Sequence, residues 1–314
     1  MEQFKHIPVM LSECIKGMKL KPGMTVVDAT IGGAGHSAEI VKHIAGGTLV
    51  GFDRDTAAIH ESKKQLKNTD GVEIRLIKAN FADIADNLAA AGIEKVDAIL
   101  ADFGVSSYQI DNAERGFSYM HDGELDMRMD TDGGHTAADI VNDYPEKKLA
   151  DIIFNYGEER YANRIAQAIV ANRPITRTLQ LSDIIKDAVP SGYGKTGGHP
   201  AKRTFQAIRI AVNNELDNIE KFLAGALSVL KPKGRLAVIT FHSLEDRIVK
   251  QKFKLEAAYC ICDKDMPQCV CGHQASVKII TKKPIEPAED EIKNNPRSGS
   301  AKLRVAEKIK GGKS

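Results

Sequence analysis

The sequence predicts an α/β fold: a Rossmann-like, mostly parallel open sheet carrying an inserted, mainly helical domain. Three observations carry that prediction. Short apolar runs at 25–28, 48–53, 73–78 and 96–102 alternate with helical stretches such as 37–44 and 56–66, a rhythm that puts helices on both faces of a parallel sheet. The rhythm stops after Asp102 and returns only near residue 205. The first apolar run feeds a glycine-rich segment, 28–37 (DATIGGAGHS), that opens a helix.

Between the two α/β stretches the chain reads as helix and loop. Turns fall at Asp122-Gly123 and Asp132-Gly133-Gly134, helices at 145–171 and 181–189, and a glycine-rich loop at 191–198. The α/β pattern resumes with one long helix over 201–230. The turn Lys231-Pro232-Lys233-Gly234 then leads into a fifth strand at 235–240, and segments 278–281 and 302–306 form a closing hairpin. The sheet domain therefore comprises 1–107 and 205–314, with 108–204 inserted.

A chain of 314 residues accommodates one large domain or two modest ones. No apolar run reaches membrane-spanning length, and the first residues lack the apolar core of a signal peptide. These features predict a cytoplasmic protein without membrane partners. The net charge of +2 does not by itself announce a nucleic-acid binder. Charge is uneven, however: Lys293, Arg297, Lys302, Arg304, Lys308, Lys310 and Lys313 face the single acid Glu307, a basic end that reads most simply as a solvated tail.

The glycine loop is the first candidate site. Glycines let backbone approach a ligand, and a helix start offers free N–H groups. Asp53 ends the second strand about 20 residues further on, where an acid grips ribose hydroxyls. Residues 33–38 satisfy the dinucleotide fingerprint G-x-G-x-x-G/A. Asp28 argues otherwise. A carboxylate at the end of the first strand repels a pyrophosphate but favours an ammonium or sulfonium. S-adenosylmethionine, with both cations and no phosphate, is the preferred cofactor. Asp28, Asp53, Phe81 and Asp102 all fall at or just past strand ends, where ligands of such sheets bind.

Motifs run the length of the chain: 6–11 (HIPVML), 28–37, 102–109 (DFGVSSYQ), 115–118 (RGFS), 125–130 (LDMRMD), 199–203 (HPAKR), 241–247 (FHSLEDR) and 295–298 (NPRS). In this order they resemble the RsmH (MraW) family of S-adenosylmethionine-dependent methyltransferases. The resemblance implies methylation at N4 of a cytidine in the decoding region of 16S rRNA, with the 30S subunit as partner, and it allows a homodimer. It implies that Ala34, Gly35, His36, Asp53, Phe81, Asp102 and Gln109 line the cofactor site. Tyr108 stands where proline is usual and Phe103 where leucine is usual. Ser298-Gly299-Ser300 replaces Ala-Arg-Ser, removing one basic contact.

Amine methylation needs alignment, exclusion of water and an acceptor for the amine proton. Asp102 is the catalytic candidate by position. The target base must leave its stack. Phe103, Phe117, Tyr119 and Phe241 are candidates to receive it, and Arg115, Lys202, Arg203, Arg209, Arg247 and Arg297 are candidates for the RNA backbone. Methylation at cytosine C5 would need a cysteine nucleophile, and Cys14 reads as far from the ligand edge of the sheet. Cys260-x-Cys262 and Cys269-x-Cys271 are open between a structural zinc and a metal-free loop; the C-x-C spacing does not decide, and no metal is assigned. Two rival readings are a non-catalytic RNA-binding assembly factor and an NAD-dependent oxidoreductase.

Overall fold

The computed structural model describes residues 8–309 apart from 68, 70, 194–197, 264 and 267. His6 and Ile7 of the first motif, the centre of the 191–198 loop, and Lys310 and Lys313 lie outside the described residues. The chain divides into two compact units, residues 1–104 with 216–314, and residues 105–215.

The first unit opens with α1 (Leu11–Met18), β1 (Thr25–Asp28), α2 (Gly35–His43), β2 (Thr48–Asp53), α3 (Thr56–Gln65), β3 (Glu73–Lys78), α4 (Ile84–Ala90) and β4 (Val96–Asp102). The four strands keep their predicted bounds. β1 pairs in parallel with β2 and β4, and β2 with β3. Alternate side chains enter opposite cores, as the period of two requires. Val27, Val50, Ile99 and Ala101 join one cluster with α4, and Val26, Leu49, Ala98 and Leu100 join another with α1 and α2. Burial on both faces explains why these strands read as continuous apolar runs.

The second unit contains α5 (Ser107–Asp111), α6 (Ala137–Asp143), α7 (Glu146–Gly157), α8 (Ala162–Ala171), α9 (Thr178–Ala188) and α10 (Lys202–Asn213) around a core that includes Ile140, Ile153, Ile165, Ile169, Leu181 and Phe205. α10 is fastened into this unit. A Cβ on Gly157 of α7 would lie 2.8 Å from the carbonyl oxygen of Arg203. The Asn213 side chain accepts from Met129 N at 2.9 Å and donates to the Met127 carbonyl at 2.8 Å. The single helix expected over 201–230 is two helices, because Asn214 takes the left-handed conformation (φ 49°) and ends α10.

The first unit resumes with α11 (Glu215–Val229), β5 (Leu230–Thr240), α12 (Ser243–Glu256), β6 (Val277–Ile279), α13 (Glu289–Asn294) and β7 (Lys302–Lys308). The sheet order is β3-β2-β1-β4-β5-β7-β6, with β7 antiparallel to both neighbours. The turn expected at 231–234 is an irregularity within β5. Leu230 pairs with Val96, pairing resumes at Arg235 with Ala98, and Lys233 bulges out at φ 70°. Much of the basic end is not a tail. Lys302, Arg304 and Lys308 belong to β7, inside the sheet, and buried Arg304 forms a two-point ion pair with Asp246 (2.6 and 3.0 Å). Phe222 of α11, fully buried, meets Phe81 and Phe103 edge-on at 5.5 and 5.7 Å. Phe222→Ala is expected to cost about 3–5 kcal/mol, read as a lowered denaturation midpoint at unchanged slope.

Candidate active site

The loop after β1 is built by its own carboxylate. Asp28, 2% exposed, accepts from Ser37 Oγ at 2.7 Å and from Thr30 N at 3.3 Å. Asp28 therefore latches the loop to the start of α2, a correction to its reading as a group facing the ligand's cation. Gly32 lies at φ 50°, a conformation that favours glycine. A Cβ on Gly51 of β2 would stand 2.3 Å from Ile31 Cδ1, so glycine there makes room for the loop's Ile31 side chain against the sheet. A Cβ on Gly33 would meet nothing within 4 Å, which leaves the outer side of the loop open to a ligand. Ala34, at φ 59°, precedes Gly35, the first residue of α2, where the helix presents its N–H groups.

Three further side chains surround this loop. Asp53 at the end of β2 accepts from Gly32 N at 3.0 Å and from Asp55 N at 2.9 Å. It positions both the loop and α3 while its oxygens keep lone pairs for other donors. His36 is buried, and Nε2 donates to the Val9 carbonyl at 2.8 Å. Burial lowers its pKa, so the ring is neutral and Nδ1 is an acceptor, 3.9 Å from Asp102 Oδ2. Phe81 follows β3, with one side of its ring against Phe103 at 5.3 Å. It is only partly buried, so it serves the core and keeps some surface at the strand ends.

Asp102 ends β4, and its backbone N–H donates to Thr30 Oγ1 at 2.7 Å, tying strand to loop. Its Oδ1 is buried and has no hydrogen-bond partner among the described residues. Burial first, then the charges of Asp28 and Glu245, push the Asp102 pKa well above the usual carboxylate range. Burial likewise raises Asp28 and Asp53 to about 6. Glu245 was not singled out from sequence. It is fully buried, and its Oε2 accepts from Phe241 N at 2.7 Å and His242 N at 3.3 Å. A glutamate three residues after the N-cap His242 of α12 is a capping-box signal that points to it.

Cys14 corrects an expectation. It is not remote: α1 packs on the sheet, and Asp102 and Asp28 both act on the Cys14 thiol. Burial and those charges drive its pKa up, so it stays a thiol and is a poor nucleophile.

A model of the MraW methylase family matches residues 3–309. The chain belongs to that family. The ribosomal RNA small subunit methyltransferase H of Clostridioides difficile (strain 630) is 52% identical over 311 residues, covering 98% of this chain and 100% of that protein. The protein of the same name from Carboxydothermus hydrogenoformans (strain ATCC BAA-161 / DSM 6008 / Z-2901) is 52% identical over 310 residues, covering 98% and 99%. Among solved structures, a putative rRNA-methylase from Clostridium thermocellum aligns with TM-score 0.46 at 14% identity, over 97% of this chain and 100% of that one.

The methylase is S-adenosylmethionine-dependent, which removes the dinucleotide alternative. The site suits that cofactor. The orphaned Asp102 oxygen needs a donor, the cluster of raised carboxylates needs positive charge, and the open side of Gly33 gives access. No helix among the described residues is long and apolar enough to cross a membrane.

The remaining predicted residues divide into exposed and internally committed groups. Gln109 lies in the second unit, buried, where its Oε1 accepts from Ser106 N in a capping box. Arg115 donates to the Arg128 and Met129 carbonyls at 3.0 and 3.1 Å, and Arg209 forms a two-point pair with Glu215 at 2.8 and 2.9 Å. Both are therefore structural, unlike their reading as RNA contacts. Lys202, Arg203, Arg247 and Arg297 are exposed, with Arg203 also donating to the Glu158 carbonyl at 3.1 Å. Among the aromatics, Phe103 and Phe117 are core residues, a correction to their reading as stacking platforms. Tyr119 already stacks on His199 (centroids 4.8 Å apart). Phe241 is partly exposed, and its ring edge lies 3.6 Å from where a Gly104 Cβ would stand.

Proposed function

We propose that this methylase transfers a methyl group from S-adenosylmethionine to N4 of a cytidine in the decoding region of 16S rRNA, acting on the 30S subunit in the cytoplasm. The observation that carries the reading is Asp102, a half-buried carboxylate whose buried Oδ1 has no partner among the described residues, at the end of β4 and beside the glycine loop. Relatives about half identical over nearly the whole chain are named ribosomal RNA small subunit methyltransferase H, which supports rRNA as the acceptor.

The exocyclic amine of cytosine is a weak nucleophile, because its lone pair is delocalised into the ring. S-adenosylmethionine supplies the methyl on a sulfonium, already a good leaving group. The chain's own task is to hold the reactants in line and to receive a proton. Asp53 holds the loop through Gly32 and takes the ribose diol. The N–H groups at the start of α2, in the Ala34-Gly35-His36 segment, face the cofactor, and Phe81 flanks it. Asp102 accepts a hydrogen bond from the amine and then its proton. Its raised pKa suits this role: a carboxylate of ordinary acidity is too weak a base, and the cofactor's cations favour the ionised form that must act. Unit 105–215 supplies substrate recognition, and Lys202, Arg203, Arg247 and Arg297 take phosphate contacts.

The test is transfer of labelled methyl to unmodified 30S subunits and to naked 16S rRNA, with the label located by nuclease digestion and mass spectrometry. Label on N4 of a decoding-region cytidine is the expected result. Label on another atom or another RNA region refutes the assignment.

A further inference from the structure

The segment between α12 and β6 carries four thiols that neither the sheet nor methyl transfer uses. Its ends are tied, since Ser276 N donates to the Glu256 carbonyl at 2.7 Å and His273 Nε2 to the Leu255 carbonyl at 3.0 Å. Between these ties, no helix or strand is found among the described residues. Its large apolar side chains face solvent: Tyr259 is 82% and Val270 72% exposed. Apolar burial does not hold this loop, and long loops without structure of their own are uncommon in compact domains.

The sulfurs nevertheless converge. Cys269 Sγ lies 3.4 Å from Cys260 Sγ, 4.0 Å from Cys262 Sγ and 3.6 Å from Cys271 Sγ, and Cys260 and Cys271 are 3.8 Å apart. All four sulfurs lie within 4.8 Å of one another. A tetrahedron with metal–sulfur bonds of about 2.3 Å has edges of about 3.8 Å. None of the four is in a disulfide. Backbone N–H groups aim at the sulfurs: Cys262 N at Cys260, Ile261 N and His273 N at Cys271, and Val270 N at Cys262, each at 3.4 Å. Such donors stabilise thiolate charge around a metal.

We propose that Cys260, Cys262, Cys269 and Cys271 bind one Zn²⁺ in a closed, tetrahedral, four-thiolate site that fixes the loop between α12 and β6. The C-x-C spacing left zinc and a metal-free loop open, and the convergence of the four sulfurs favours zinc. The two pairs face each other across the loop, which spacing alone does not reveal. Four protein ligands leave no position for water, so the ion is a structural staple. Each coordinating thiol releases its proton to solvent.

The test is metal content of the full-length protein, grown with zinc and purified without chelator or metal-affinity resin. About one zinc per chain is expected, falling below about a tenth in Cys262→Ser/Cys271→Ser. Co²⁺ exchanged into the wild-type protein should give intense thiolate-to-cobalt absorption that the double variant lacks. Wild-type protein that contains no zinc and takes up no Co²⁺ overturns the proposal. So does a thiol titration of the unfolded, unreduced chain in which only Cys14 reacts, because the four sulfurs would then be disulfides.

Discussion

Asp102→Asn is expected to lower the rate of methyl transfer by about 10²- to 10⁴-fold while changing S-adenosylmethionine affinity by less than about tenfold. The asymmetry follows from the geometry. The Asp102 backbone, which ties β4 to Thr30 of the loop, is unchanged by the substitution. Asparagine keeps the shape and one acceptor oxygen, but it cannot take the amine proton. Misfolding does not explain the expected loss, because the substitution removes a carboxylate whose charged form the folded protein disfavours. Asp102→Ala should behave alike in turnover, with a larger effect on cofactor affinity because the orphaned acceptor disappears. Single-turnover rates and calorimetric binding on the same preparations separate the two effects. Equal losses in rate and affinity would reduce Asp102 to a cofactor ligand.

Cofactor affinity should fall by about tenfold or more between pH 7.5 and pH 5. Burial raises Asp53 to about 6 in the free protein, and a cationic ligand with hydroxyl donors binds best to its ionised form. Each pH unit below that value then weakens binding about tenfold through this one carboxyl, and Asp102, whose pKa is raised as well, adds to the slope. Stability moves in the opposite sense. Asp28 and Asp53 sit near 6 when folded, against an ordinary value of 3.8, so the folded chain binds more protons across that interval. Their contribution is complete below about pH 3.8 and is lost as pH rises through about 6, on the order of 3 kcal/mol for each by neutrality. A cationic cofactor offsets that loss, so saturating S-adenosylmethionine should raise the melting temperature more at pH 7.5 than at pH 5. Asp53→Asn should flatten the pH dependence of affinity. Dissociation constants that match at pH 5 and pH 7.5 would show that these carboxyls do not couple to the cofactor.

Several assignments were legible because they depend on short-range pattern. Strands buried on both faces announce themselves as apolar runs, and the acids at their ends lie at one edge of a parallel sheet by topology alone. The roles of particular charged side chains were less accessible. Asp28 reads as an electrostatic partner for a cation until Ser37, the third residue of α2, donates to its oxygen. Arg115 and Arg209 are indistinguishable in sequence from surface cations, yet one closes on the Arg128 and Met129 carbonyls and the other on Glu215. Glu245 carried a capping signal, but nothing local indicated that its charge would bear on Asp102.

The sequence by itself determined the order of strands and helices, the place of the glycine loop and the identity of the acids at the strand ends. Each is a consequence of periodicity or of backbone conformational freedom over a few neighbouring residues. Tertiary structure alone decided what those groups touch. α1 brings Cys14 within electrostatic reach of Asp102, β7 turns a basic tail into a sheet strand with Arg304 paired to Asp246, and the loop after α12 gathers four sulfurs separated by up to eleven positions. Side-chain contact and burial depend on residues distant in sequence, and so do the pKa shifts on which this chemistry depends.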